Sequence, residues 1–490
     1  MKALMLGWEF PPHISGGLGT ACAGLVQGLA KAEVEVTFVV PRAHGDEDQR
    51  FANVLGCNAV EVSLGPPQPK AAADSKSPVG TSKEDPPSER SERWLEQRSQ
   101  LASPRPTIDV IAIESSLSPY TTASAYVARL IDESFADDPR VDQGARAAVA
   151  ELRQGLLASP DVRDLALDRA TRELPATQRF EFSGFYGPDL FGEVSRYALC
   201  VGEIAAREDF DVVHAHDWMT YPAGIVAARR SGKPLVVHVH ACEHDRSGDH
   251  IDARIRDIEQ LGLDSAARAI CVSHYTAGML RRHYRVDESK LRVVHNAVTH
   301  KEQVAKFKVD KSISEPIVLF LGRVTFQKGP DYFLEAAARV VRVEPNVKFV
   351  MVGSGDMWPT MVERAARLGL ARHVHFTGFL RSADVEKIYA MADIYVMPSV
   401  SEPFGISPLE AMALDVPVIV SRQSGVSEVL RNALKVDFWD VQEIANKILA
   451  LLRFPALREH LTGQGRDEVR AMRWDASAQL VRDVYGELVG

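Results

Sequence analysis

Ten short runs of β-branched and aliphatic residues, closing at Gly, Pro or His and followed by helical patterns, constrain this chain more than any other feature. ALMLGW (3–8), VEVTFVV (34–40), DVVHAHD (211–217), LVVHVH (235–240) and AICVSH (269–274) form a first set. IVLFLG (317–322), VKFVMVG (347–353), HVHFTG (373–378), IYVMP (394–398) and VPVIVS (416–421) form a second. Continuous apolar strands alternating with helices predict parallel sheets covered on both faces. The stretch THKEQVAKFKVDKSISEP (299–316) separates the sets. The pattern therefore predicts an α/β protein of two doubly wound domains facing across a cleft, the first over 1–300 and the second over 315–471.

Within the first set one segment breaks the rhythm. Residues 65–107 are rich in Pro, Ser and charge. They cannot bury enough apolar area to offset ordering entropy, so they are predicted to be a mostly disordered insertion. A helical stretch is expected over 122–175, and IDVIAIE (108–114) is expected as the third strand of the first domain.

Composition excludes several classes. With 46% hydrophobic and 25% charged residues among 490, the chain is an ordinary globular one. Its net charge of -9 gives no global basic field, and no nucleic-acid partner is expected. The five cysteines (Cys22, Cys57, Cys200, Cys242, Cys271) are scattered and form no CxxC pair, which favours free thiols in a reducing compartment. No apolar run has transmembrane length, and the N-terminal one is too short for a secretory h-region. A cytoplasmic location is expected.

The motifs sit where strands end. GGLGT (16–20) opens a helix whose Ala21, Leu25 and Leu29 share a face. Its glycines let backbone N–H groups approach an anion, although a tight turn alone explains them equally well. Cys22 replaces the third glycine of a dinucleotide fingerprint, and no acid for a ribose follows the second strand, so a dehydrogenase is disfavoured. Period two puts His214 with His216, and His238 with His240, on one face each. A metal site with Asp217, Glu243 and Asp245 is conceivable, but nothing else in the chain matches a metal motif and none is assigned. For His214 and His238, deeper in their strands, a core role with hydrogen bonds to backbone is preferred. In GRVTFQKG (322–329), Arg323 and Lys328 suit a diphosphate, and a solvated loop is the plainer alternative. In SEPFGISPLEAM (401–412), Ser407, Pro408 and Glu410 spell a capping box, which would explain Glu410 without a ligand. Glu402 has no such explanation. Beside a helix start that attracts anions, an acid is useful if it holds neutral hydroxyls, and a sugar phosphate presents both phosphate and hydroxyls.

In their order, the GGLG turn, HAHDW, a later strand ending in His, GRVTFQKG and the spaced glutamates of SEPFGISPLEAM resemble the GT-B-fold, retaining, nucleotide-sugar glycosyltransferases, close to the glycogen/starch synthase and related bacterial families. The resemblance covers nearly the whole chain outside 65–180. It implies two Rossmann-like domains, the first completed by a final helix within 472–490. It implies that Gly17 and Gly19 face donor phosphates or acceptor, and that Asp217 and His240 line the sugar site. Arg323 and Lys328 would neutralise the leaving diphosphate, aided by the helix end at Ser407. Glu402 and the backbone of Phe404, Gly405 and Ile406 would hold the sugar, and Glu410 the ribose. The donor is then a substrate, no cofactor or metal is expected, and a carbohydrate acceptor is the partner. Glucan synthases usually carry a Lys shortly before the Gly-rich turn, where this chain has His13, Ile14 and Ser15. A glucan synthase therefore stands second, a nucleotide-sugar epimerase third, and a non-catalytic sugar-nucleotide-binding protein last.

Overall fold

The computed structural model describes residues 1–13, 17–63, 112–113, 177–183, 189–299, 313–380 and 382–490. The insertion expected over 65–107 and the helical stretch expected over 122–175 lie outside the described residues.

Sixteen strands are described: β1 Lys2–Leu6, β2 Glu35–Val40, β3 Asn53–Gly56, β4 Glu61–Ser63, β5 Ala112–Ile113, β6 Thr177–Arg179, β7 Val212–His216, β8 Leu235–Val239, β9 Arg268–Cys271, β10 Leu291–Val293, β11 Ile317–Leu321, β12 Lys348–Val352, β13 Val374–Gly378, β14 Ile394–Met397, β15 Val418–Ser421 and β16 Leu434–Val436. The first seven-stranded sheet has the order β10-β9-β8-β7-β1-β2-β3, and the second, six-stranded, β13-β12-β11-β14-β15-β16. All pairings within both are parallel. All ten runs predicted as strands are strands. They hold their register because nearly every position is buried on one face or the other, so a one-residue slip would gain nothing at either face.

One assignment is corrected. The strand beside β2 is β3, Asn53–Gly56, and not the 108–114 run. Of that run, Ala112–Ile113 pairs with Glu61–Val62 in a separate three-stranded sheet. Strand β3 is short, lies at an edge and begins on an exposed Asn, so it lacks the apolar run that marks an interior strand.

Each of the two large sheets carries an apolar cluster on both faces. On one face of the first sheet, helix Gly17–Lys31 packs against the C-terminal helix Trp474–Val489. Two glycines permit that approach. A Cβ at Gly24 would lie 2.3 Å from the Trp474 indole, and one at Gly28 would lie 2.6 Å from the Trp474 carbonyl oxygen. The last helix of the chain thus covers the first domain.

Strand order reverses between β1 and β7 in the first sheet, and between β11 and β14 in the second. Ligands of doubly wound sheets bind beyond the carboxyl ends of strands at such switch points. Those ends carry His216, the Gly322–Gly329 loop and Ser399–Glu402.

Candidate active site

The four strand-end histidines form one stack on the helix Gly17–Lys31 face of the first sheet. Ring centroids of His214 and His216 are 4.4 Å apart, and those of His238 and His240 are 4.3 Å apart. The predicted core role of His214 and His238 is right in burial and wrong in bonding. His214 Nδ1 meets Tyr485 Oη of the C-terminal helix at 2.5 Å, and its Nε2 lies 3.2 Å from His238 Nδ1. Parallel-strand backbone is consumed by the sheet, so these rings bond to side chains. Burial pushes the His214 imidazole down to about 3 and holds His216 and His238 well below the usual range. His240, at the cleft end of the stack, is lowered by burial against an opposing pull from Asp217. Its Nε2 lies 2.9 Å from His216 Nδ1.

Asp217 does not point a free carboxylate at a ligand. Its Oδ1 accepts the backbone N–H groups of His240 at 2.7 Å and Ala241 at 3.3 Å. It does so from a left-handed φ of 59°, a conformation that costs on the order of 1 kcal/mol outside glycine. Arg246 lies behind it, 3.8 Å from Asp217 Oδ2, 3.0 Å from Glu259 and donating to the Ala241 carbonyl at 2.7 Å. Asp217 therefore sets the loop that carries His240.

Two groups of side chains among the described residues have metal-ligating atoms within 4.8 Å of one another: Cys22, His216 and His240, and His214, His216 and His238. In the second group His214 already uses both nitrogens, meeting Tyr485 Oη and His238 Nδ1. In the first, two rings already hydrogen-bond to each other. All five cysteines are buried free thiols.

Of the glycine turn, Gly17 and Gly19 are described and begin the helix. The Gly19 N–H donates at 3.1 Å to Oε1 of Glu9, a buried carboxylate that occupies the helix start. Gly17 is open: a Cβ there would meet nothing within 4 Å.

In the second domain, Lys328 Nζ meets Glu402 Oε2 at 2.5 Å, and Ser399 Oγ donates to the same oxygen at 3.2 Å. Arg323 is exposed and donates to Gln327 Oε1 at 3.1 Å. Gly405 has φ +98°, and a Cβ there would crowd Met397 Sδ at 3.1 Å and Glu402 Cγ at 3.2 Å. Only glycine lets the chain turn so closely under Glu402. Phe404 is buried, and Ile406 packs against the clusters of both domains.

The predicted capping box is absent. The helix runs Ser407–Ala413, its N-cap is Ile406 in the helical region, and no side chain caps it. An N-cap needs extended geometry. Here the turn at Gly405 puts Ser407 already inside the helix. Glu410 instead accepts from Tyr389 Oη at 3.4 Å, and the same hydroxyl donates to the Ser407 carbonyl at 3.2 Å.

Sequence reasoning missed the residues that join the domains. Ser401 Oγ donates to Asp245 Oδ1 at 2.6 Å and meets Tyr275 Oη at 3.0 Å. Ser273 and Thr276 hydroxyls donate to the Pro403 carbonyl at 2.5 and 3.2 Å. Glu428 accepts the first N–H groups of helix His274–His283, at 2.9 Å from His274 and 2.5 Å from Tyr275, and lies 3.1 Å from His295 Nε2. The one available signal was Ser273, an N-cap residue after an apolar strand.

Two doubly wound parallel sheets joined across one junction define the GT-B architecture. The comparisons agree. Family models for Glycosyl transferases group 1, Glycosyltransferase Family 4 and Starch synthase catalytic domain match residues 301–468, 143–302 and 2–81. An uncharacterized glycosyltransferase of Methanocaldococcus jannaschii is 30% identical over 299 residues, 58% of this chain and 76% of the relative. D-inositol 3-phosphate glycosyltransferase 2 of Catenulispora acidiphila is 28% identical over 359 residues, covering 68% and 83%. Sucrose-phosphate synthase from Thermosynechococcus elongatus shares the fold at TM-score 0.61 and 18% identity, over 99% of this chain and 98% of that one. The chain belongs to the glycosyltransferases, and its second domain matches the group 1 family model. Among the described residues no helix is long and apolar enough to cross a membrane.

Proposed function

We propose that this enzyme is a retaining, cytoplasmic transferase that moves a hexose, glucose before others, from a nucleoside-diphosphate sugar to a hydroxyl of a carbohydrate or other acceptor. The observation that carries this is the Lys328–Glu402 pair, 2.5 Å between loops that follow the two strands flanking the second switch point. A diphosphate bound by Arg323 and Lys328 takes over the lysine and frees Glu402 to accept sugar hydroxyls. Fixed positive charge then stabilises the charge that develops on the leaving phosphate oxygens. His240 contacts the transferred sugar from the first domain, on a loop held by Asp217. Gly17, open at the helix start, leaves room for donor phosphate or acceptor at the opposite wall, while the Gly19 N–H predicted to share that role is held by Glu9. Backbone N–H groups of Phe404, Gly405 and Ile406, with Ser407 beside them, hold the sugar, and Glu410 takes the ribose. The departing phosphate accepts the acceptor proton on the face from which it leaves, which retains the anomeric configuration. The donor is a substrate, and the reaction is proposed to need no cofactor.

A screen of UDP-, ADP- and GDP-sugars with nucleotide release as readout tests the proposal, and proton NMR of the product reads the anomeric configuration. An inverted product overturns the retaining assignment. Release of nucleotide from none of the donors in the presence of acceptors overturns the whole reading.

A second reading is α-glucan synthesis from ADP- or UDP-glucose, favoured by the match of residues 2–81 to the starch synthase catalytic domain. It predicts elongation of a maltooligosaccharide primer. Epimerisation, the third reading, predicts a new sugar nucleotide from donor alone.

A further inference from the structure

We infer that Ser401 and Asp245 are positioning residues that align the sugar-holding loop of the second domain with the His240 loop of the first, so that transfer depends on a hydroxyl that touches no substrate. The inference rests on the proposed roles of His240 and Glu402.

Ser401 immediately precedes Glu402 and is 7% exposed, while Asp245 is 1% exposed. The two carboxylate oxygens of Asp245 face different domains. Oδ2 accepts the Cys242 N–H at 2.9 Å within its own loop, and Oδ1 accepts the Ser401 hydroxyl at 2.6 Å. Ser401 Oγ is at the same time 3.0 Å from Tyr275 Oη, so the hydroxyl donates once and accepts once. A buried carboxylate with its acceptor sites filled in this way is directional: moving the 401–405 loop leaves an acceptor of Asp245 without its donor, which is costly in a buried setting.

The linkage continues on both sides. Asp245 belongs to the 240–246 segment whose first N–H groups are held by Asp217 and whose Arg246 binds Glu259 and the Ala241 carbonyl. On the other side the Pro403 carbonyl takes two hydroxyl hydrogen bonds from Ser273 and Thr276, and Gly425 is pressed so close to Ser273 that a Cβ would lie 2.4 Å from its Cβ. The backbone on either side of Glu402 is thus fixed to the first domain, while its side chain holds Lys328. A displacement of about 1 Å at such a position is enough to cost on the order of a hundredfold in rate.

The test uses the full chain with Ser401→Ala, Asp245→Ala, Asp245→Asn and the Ser401→Ala/Asp245→Ala double variant. Turnover is expected to fall about tenfold to a hundredfold in each alanine variant. The double variant should be no worse than the poorer single one. Affinity for the free nucleoside diphosphate, read by calorimetry, should stay unchanged, because that ligand is held by the second domain alone. Ser401→Thr, which keeps the hydroxyl, should recover most of the turnover. Small-angle scattering should show a larger radius of gyration for Ser401→Ala than for the parent. Parent-like turnover and radius in Ser401→Ala overturn the inference, as do additive losses in the double variant. If Asp245→Ala fails to fold, Ser401→Ala and Asp245→Asn decide alone. Scattering does not depend on any donor, so a parent enzyme inert toward every donor would sink the functional reading while the radius still judges the contact.

Discussion

Lys328 and Glu402, 74 positions apart, form an ion pair in which the lysine side chain is 20% and the glutamate side chain 8% exposed. Each neutralises a charge that the other would otherwise leave facing the cleft. A pair of this kind has to be broken for either partner to engage a ligand, and its two halves suit different parts of a sugar nucleotide.

Lys328→Ala and Arg323→Ala are therefore expected to lower turnover by about 10²–10³ each, the usual loss for one donor aimed at developing charge. Melting temperature should move little for Arg323, which is exposed. Steady-state kinetics at saturating donor check this. Near-normal turnover in both variants would remove the diphosphate assignment.

The two glutamates should fail differently. Glu410→Ala should weaken free nucleotide binding, and any loss of stability should not come from a capping box, since none forms at this helix start. Glu402→Ala should keep nucleotide binding, or tighten it by releasing Lys328, and cripple transfer. Calorimetry with the nucleoside diphosphate separates them, and equal effects on that binding would contradict the division of roles.

Stability should rise with pH between about 3 and the ordinary histidine range. The fold holds His214, His216 and His238 neutral, whereas the unfolded chain takes up protons below about 6.5. The unfolded state then binds more protons, so acid favours it, by about 1.4 kcal/mol per pH unit for each histidine that remains neutral in the fold. Urea titrations at pH 7.5, 6 and 5 measure the slope. His214→Phe should flatten it, and an unchanged slope would mean the stack does not govern acid sensitivity.

Trp474→Ala should cost about 3–5 kcal/mol, the range for removing a buried aromatic side chain. Gly24→Val should also destabilise, since its side chain would enter the indole. Denaturant midpoints for the two variants and their combination test the contact. If the pair interlocks, the combined loss is smaller than the sum of the single losses.

Much of this was legible in the sequence, for identifiable reasons. Strands such as IVLFLG and VPVIVS are buried on both faces, so their apolar runs are unmistakable. The edge strands β3, β10 and β16 have four, three and three residues, too few to carry a period. Arg323, Lys328 and Glu402 could be proposed from their places after strands, but their mutual pairing could not, because it depends on the adjacency of β11 and β14. Ser407 and Glu410 matched a local rule that the φ of Gly405 overrides. Glu428 was invisible because its partners at 274 and 275 lie more than 150 positions away on another domain. Composition and period report neighbours along the chain, and this junction is built from partners across it.

The helix Trp474–Val489 gives the molecule a particular order of completion during synthesis. The first sheet ends at Val293, yet the indole that lies against Gly24 and the phenol that meets His214 arrive only at positions 474 and 485. At about 5–20 residues per second, the ribosome needs roughly 10–35 s to cover that interval. Throughout it, one face of the nascent first domain carries Leu25, Leu29 and the buried histidines without their cover. The second domain is made in the same interval. The first part of the chain to emerge is thus the last to be finished.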